Sequence, residues 1–192
     1  MNFLGHLYFS NNDFELMYYN LFGDYVKGSD LSRFPDKVQT GLRLHREIDD
    51  YIDHHPVVIE LLHMLYPSLP KISGIAVDLY FDHLLAKNWM NYHNEPLEEY
   101  LSEFYQTVPR EKEFFSDDFN FLLSKMIPGR WINQYHDFEG LTIVCQRLSA
   151  RIPFENVLYQ APEVYFELEN EITNAFRLYM TDAQKHFGVD KR

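Results

Sequence analysis

Apolar positions recur at three- and four-residue spacing along most of the chain, and sustained alternation of apolar with polar residues is scarce. The pattern predicts an all-α fold. Asp13 is placed to cap a helix running to about Lys27 and stopped by Gly28. Pro35 and Asp36 open a second helix whose apolar face is Val38, Leu42, Ile48 and Ile52. Pro56 breaks it ahead of a stretch to Tyr66, which Pro67 and Pro70 close. Further helices are expected from about Ile72 to Tyr92, from Pro96 to Val108, from Asp117 to Met126 and from Gly140 to Ala150. A last long helix is expected from Phe154 to Phe187, with Val164, Leu168, Ile172, Ala175, Phe176 and Tyr179 closing the core rather than pairing two subunits.

No repeat, low-complexity tract or linker rich in Gly, Ser or Pro divides the sequence, so residues 1–192 are expected to form one helical domain. With 46% apolar residues the chain can fill a core, and its 17% aromatic residues point to helix interfaces packed with rings rather than to base stacking. Charges interrupt every apolar stretch before it reaches the roughly 20 residues of a membrane span. The single cysteine, Cys145, excludes an intramolecular disulfide, and no leader-like segment opens the sequence; a reducing cytoplasm is the expected compartment. A net charge of −12 argues against nucleic acid and anionic membrane as partners. Whether the acids merely solvate the surface or gather at a cation depends on where they fall.

Two segments carry most of the chemistry. Ile75 to Ala86, IAVDLYFDHLLA, is apolar around nearly its whole circumference yet contains Asp78, Asp82 and His83. Asp78 and Asp82 lie one turn apart on one face, and buried carboxylates so placed need a cation, an arginine or a shared proton between them. A metal would also account for His83, since imidazole and carboxylate together suit Mn, Fe or Zn; a structural salt bridge or an exposed stripe is the alternative. In LRLHREIDDYIDHH, His45, Asp49 and Asp53 follow at four-residue intervals down one helix face. That line suits a metal as well as it suits an ordinary solvated face. Arg43 and Arg46 flank it, either for a phosphate or for ion pairs with Asp49 or Asp50.

Two lesser elements precede these. His6 sits alone among apolar residues in NFLGHLYF, where a hydrogen-bonded core histidine is the commoner use. Asp24, beside Gly23 in LFGDYVKG, ends an apolar helix where an acid opposes the dipole, a mismatch that favours function.

NFLGHLYF, GDYVKG, GLRLHREID and DLYFDHLLAKNW occur in the same order as in the bacterial acyl carrier protein phosphodiesterases, and the chain resembles that family over its first 90 residues, with a weaker echo in RLSARIP, Arg147 to Pro153. The resemblance implies a non-standard member of the HD phosphohydrolase superfamily. It implies an HD-like helical fold, a divalent metal site, Mn first with Mg or Fe as alternatives, and removal of 4′-phosphopantetheine from holo acyl carrier protein to leave apo carrier. Asp24 carries over first, followed by His6, His45, Asp49, Asp78, Asp82 and His83. On this reading His45, Asp49, Asp78, Asp82 and His83 hold one or two ions, with Asp24 and His6 as further ligands or proton-transfer groups. Arg46 or Arg147 offsets transition-state charge, and Lys27, Arg43 and Arg147 contact substrate. A rival assignment makes His45 the general acid. The literal dipeptide His136-Asp137 falls in a polar stretch read as a loop and is set aside in favour of Asp82-His83.

An acidic carrier protein and a chain of −12 repel at long range, so a local basic patch is required. Lys27, Arg33, Lys37, Arg43 and Arg46 are the cations available, interspersed with Asp30, Asp36, Glu47 and Asp50. Two other functions fit the same residues: a metal-dependent hydrolase of nucleotides or other small phosphoesters, and a helical binding protein that keeps its buried acids for structure. Turnover of holo carrier, and bound metal, separate the three.

Overall fold

The computed structural model describes residues 1–189, and among them every regular element is helical. Eleven α-helices follow in order: α1 (Phe3–Phe9), α2 (Phe14–Leu21), α3 (Asp36–His54), α4 (Pro56–Leu65), α5 (Ser73–Lys87), α6 (Trp89–Tyr92), α7 (Leu97–Gln106), α8 (Asp117–Met126), α9 (Phe138–Ser149), α10 (Ala161–Glu167) and α11 (Glu169–Phe187). Short 3₁₀ turns lie at Phe22–Tyr25, directly after α2, and at Trp131–His136, between α8 and α9. No helix among the described residues is long and apolar enough to cross a membrane.

The sequence signals that held are local ones. Asp13 caps α2 by accepting from Leu16 N at 3.0 Å, and Pro56 sits in the first turn of α4, where its missing N–H costs nothing. The departures have tertiary causes. The α-helical turns of α2 stop at Leu21, ahead of Lys27, because the chain tightens into the 3₁₀ turn Phe22–Tyr25; Gly28, with φ +84°, lies in the loop beyond. The helix expected to run to Tyr92 breaks at Asn88, whose side chain donates to Leu84 O. The long C-terminal helix is likewise interrupted, at Leu168, and does not begin until Ala161. Val164, Ile172, Ala175, Phe176 and Tyr179 are buried, and Phe176 and Tyr179 each pack against Phe81 of α5 with ring centroids 5.4 Å apart. α11 therefore closes the core of its own chain.

α5 is the central helix, buried from Leu79 to Ala86 and flanked by α1, α4, α9 and α11. α1 was not anticipated. Seven residues give too little periodicity to see, and its N-terminus is held by a residue far away in sequence: Asp82 of α5, fully buried, accepts from Leu4 N at 2.7 Å and Gly5 N at 3.0 Å. These are two of the four N–H groups that a helix start leaves unpaired, and a carboxylate there also meets the positive end of the dipole. Asp78, one turn earlier, lies 3.0 Å from the α-amino group of Met1. The two acids of α5 thus anchor the first turn of α1 from below.

Close backbone approaches then set α2 and its turn against α3. A Cβ on Gly41 would lie 2.4 Å from Tyr19 Cβ and 2.7 Å from the Tyr19 carbonyl carbon, so only glycine lets α3 cross α2 there. A Cβ on Gly23 would lie 2.2 Å from Cγ of His45. The 3₁₀ turn therefore rests directly on that ring.

Replacing Asp82 with Ala is expected to cost about 3 kcal/mol, the loss of hydrogen bonds to a charged acceptor that leaves two buried donors unpaired. Urea unfolding of Asp82→Ala beside the wild type measures it.

Candidate functional site

Three elements meet at the candidate site: α1 brings His6, the 3₁₀ turn brings Asp24, and α3 brings His45 and Asp49. His6 Nε2 lies 3.3 Å from Asp49 Oδ1, and His45 Nε2 lies 3.1 Å from Asp49 Oδ2 and 3.4 Å from Asp24 Oδ1. The two imidazoles stack with centroids 4.4 Å apart and planes 19° from parallel, so both Nε2 atoms point at the same carboxylate.

The tautomer of His6 is fixed by a buried asparagine. Asn20 donates through its amide nitrogen to His6 O at 2.9 Å and to Ser10 Oγ at 3.0 Å, which turns its Oδ1 toward His6 Nδ1 at 2.9 Å. An oxygen there requires the proton on Nδ1, leaving a lone pair on Nε2 aimed into the site. That lone pair faces an oxygen of Asp49, two acceptors in contact. Something electropositive belongs between them. A proton is disfavoured, because burial holds His6 below its ordinary value, and the neighbouring His45 adds to this against the pull of Asp49.

His45 behaves oppositely. Burial would lower it, but hydrogen bonds to Asp24 and Asp49 and the charges of both carry it up to about 9. Its Nδ1 is buried without a partner among the described residues, and packing between Gly23 and the His6 ring sets the ring's orientation. Burial would raise Asp49, and the hydrogen bond and charge of the protonated His45 overcome it, holding the carboxyl well below the usual range.

His6, His45 and Asp49 each offer a ligand atom, all within 4.8 Å of one another, a spacing one cation can share. The donor set of two imidazoles and a carboxylate, with Asp24 adjoining, fits a divalent transition metal. The surroundings point the same way. A cleft of about 330 Å³ opens over the cluster, lined by Asp24, Asp49, Asp53 and Asp78 and by Met1, whose amino group lies at Asp78. Burial in the cleft and the charges of Asp78 and Asp49 raise Asp53 above its ordinary value. Four carboxylates outnumber the Met1 ammonium and the His45 imidazolium, so the cleft is still negative and repels an anionic substrate unless a further cation offsets it.

The other residues singled out in the sequence lie apart from this cluster. Asp82 caps α1 beneath the site, and burial pushes its carboxyl up to about 7 against the pull of Met1 and the two N–H groups. Asp78 lines the cleft at the Met1 amino group, and Asp53 lines it one turn beyond Asp49. His83 is buried, with Nδ1 2.8 Å from Tyr135 O and its ring edge-on to Tyr165, and does not join the cluster. Arg46 donates to Val26 O at 3.2 Å and Gly28 O at 2.6 Å, clamping the loop that follows Asp24. Arg43 donates to Gln39, Lys37 pairs with Asp13 and Glu15, Arg33 lies over Phe34, and Lys27 is exposed in the clamped loop. Asp137 of the His136-Asp137 dipeptide caps α9 by accepting from Gly140 N at 2.7 Å. Arg147 lines a second pocket beside the cleft.

Asn20 and Gly23 were not foreseen. Asn20 in YYNLF was visible as the same anomaly as Asp82, a polar residue in a wholly apolar run.

The model of the acyl carrier protein phosphodiesterase family matches residues 1–183. Acyl carrier protein phosphodiesterases of Escherichia coli and Pectobacterium atrosepticum are similar to the chain. The first is 28% identical over 194 residues, covering 96% of this chain and 98% of its own. The second is 27% identical over 154 residues, covering 80% of each. That of Photorhabdus laumondii is 35% identical over 89 residues, 46% of this chain and 45% of its own. No solved structure gives a significant match.

Because folded His45 holds its proton from about 6.5 up to about 9, metal-free protein gains stability from it at low pH and loses that gain as pH rises through this window. The wild type's advantage over His45→Gln should shrink by about 3 kcal/mol between the two ends, measured by urea unfolding in chelator. Gly23→Ala should displace the His45 ring and weaken divalent-ion binding at least roughly tenfold, read by titration calorimetry, with far-ultraviolet circular dichroism unchanged.

Proposed function

The chain belongs to the acyl carrier protein phosphodiesterase family, and from that premise we propose that it hydrolyses the phosphodiester between 4′-phosphopantetheine and the serine of holo acyl carrier protein. The products are apo carrier and free 4′-phosphopantetheine. The reaction is assigned to the cleft over His6, Asp24, His45 and Asp49. The observation that carries this reading is the convergence of two imidazole Nε2 atoms on one carboxylate in a cleft too acidic to accept a phosphodiester alone.

His6, His45 and Asp49 would hold a divalent ion, Mn in the first instance, with Asp24 beside His45; paired helical His and Asp ligands agree with an HD-like site. Such an ion supplies charge to neutralise the phosphoryl oxygens and lowers the pKa of a water. Around it the chain's own groups do the rest. Asn20 holds His6 as the Nδ1–H tautomer, so that Nε2 is always a ligand and never competes as a donor. Asp24 is the most exposed of the four, with 64% of its side chain open, and it touches the His45 Nε2 edge. It is the group free to take a proton from the attacking water, geometry preceding pKa. Arg46, by fixing the Val26 and Gly28 carbonyls, holds the turn that presents Asp24 and is a positioning residue. Asp78 and Asp82 act through α1, placing His6.

Incubation of holo carrier with the purified protein and Mn, followed by mass spectrometry, should show conversion to the apo mass. Asp24→Ala and Asp49→Ala should reduce the rate at least roughly a hundredfold, the usual scale for a positioned acid–base group or metal ligand. Full activity in Asp49→Ala, or none in folded, Mn-loaded wild type against holo carrier, would contradict the proposal. Turnover of nucleotides instead would redirect it to small phosphoesters.

A further inference from the structure

A phosphodiester has two arms, and each needs a place beside the reacting phosphate. The cleft over His6 and Asp49 is polar and small. Next to it, sharing Asn2, Phe3 and Asp24 as a common wall, is a pocket of about 480 Å³. Its far side is built from elements that contribute nothing to the His–Asp cluster: Leu122 of α8, Trp131 of the 3₁₀ turn Trp131–His136, and Val144 and Leu148 of α9. Arg147, one turn after Val144, and Arg151, just past the end of α9, add two guanidinium groups to this apolar surface.

We propose that this pocket is the subsite for the pantetheine arm, with the carrier protein remaining outside the cleft on the other side of the phosphate. The proposal rests on the hydrolysis of holo carrier proposed for the cleft and adds the direction in which the substrate lies. Size carries the first step: a pocket of this volume accepts a small molecule and excludes a folded protein. Continuity carries the second. Asp24 belongs to both cavities and touches His45, so a phosphate over the cluster has its ester oxygen at the pocket's entrance.

Chemistry carries the third. The arm is uncharged beyond its phosphate, with a branched dimethyl carbon followed by two amides. Apolar walls suit the branched carbon, and donors suit amide carbonyls. Both arginines have donors to give. Arg147 meets only the side-chain oxygen of Gln134, at 3.3 Å, and Arg151 lies over the Trp131 ring at 5.5 Å. Neither forms an ion pair among the described residues, and both line the pocket that adjoins the cleft through Asp24. In a chain with twelve excess negative charges, two arginines free of acids beside one pocket are available to a ligand.

Trp131 reports on the pocket directly, the second tryptophan, Trp89, being buried elsewhere. Titration of the Mn-loaded protein with 4′-phosphopantetheine should change its fluorescence saturably, and Trp131→Phe should abolish the signal. Leu148→Phe, which fills the pocket, and the exposed double variant Arg147→Ala/Arg151→Ala should each weaken the binding at least roughly tenfold. In both, the ratio of holo-carrier turnover to bis(4-nitrophenyl) phosphate turnover should fall by a similar factor. Circular dichroism verifies the fold, and the surface double variant decides the matter if Leu148→Phe does not fold. Absence of a Trp131-dependent signal, or equal loss with both substrates, overturns the proposal. Wild type that binds 4′-phosphopantetheine at Trp131 yet does not cleave holo carrier supports the pocket while refuting the reaction, so the two failures are distinguishable.

Discussion

Everything at the site depends on the contact of two buried imidazole edges with one carboxylate. An unprotonated His6 Nε2 at 3.3 Å from Asp49 Oδ1 is unfavourable by itself, and the surrounding structure enforces it. Asn20 forbids the tautomer that would relieve it. Asp82, reaching 78 residues back along the chain to Leu4 N, prevents α1 from sliding away. Gly23 lets the Asp24 turn press on the second ring. The contact of two acceptors is unfavourable in the metal-free protein, and a cation in the shared space, as proposed, would relieve it.

The same arrangement answers an electrostatic difficulty. An acidic protein acting on an acidic carrier has no broad basic face to offer: Arg46, Arg43 and Lys37 of the expected patch are committed to carbonyls, an amide and carboxylates. On the proposed reading attraction is local, from a metal at the phosphate and from Arg147 and Arg151 along the neighbouring pocket. Charge is placed where the substrate's anionic group and its amide carbonyls fall, and the remaining acids keep other anions out.

Much of this was legible in the sequence where a single helix fixes the spacing. His45 and Asp49 stand one turn apart on α3 whatever else the fold does, and their line could be read directly. Asp78 and Asp82 were equally visible as acids in an apolar helix, but their partners were not, because the backbone of α1 and the Met1 amino group are joined to them only by the tertiary fold. His83 shows the same limit: adjacent residues on a helix point about 100° apart, so the ring next to Asp82 meets Tyr135 on another face. The break at Leu168 and the short α1 escaped because neither carries a proline or glycine signal at its boundary. The second pocket is assembled from α8, α9 and a 3₁₀ turn, and no spacing within one segment announces it.

The central claim is that one divalent ion sits between the first and third helices. Anomalous diffraction at the manganese edge, from crystals grown with Mn, tests it most directly. The account predicts a peak within bonding distance of His6 Nε2, His45 Nε2 and Asp49, with Asp78 and Asp82 still bound to the start of α1. A peak instead at Asp78, Asp82 and His83, or none in fully loaded crystals, would contradict it.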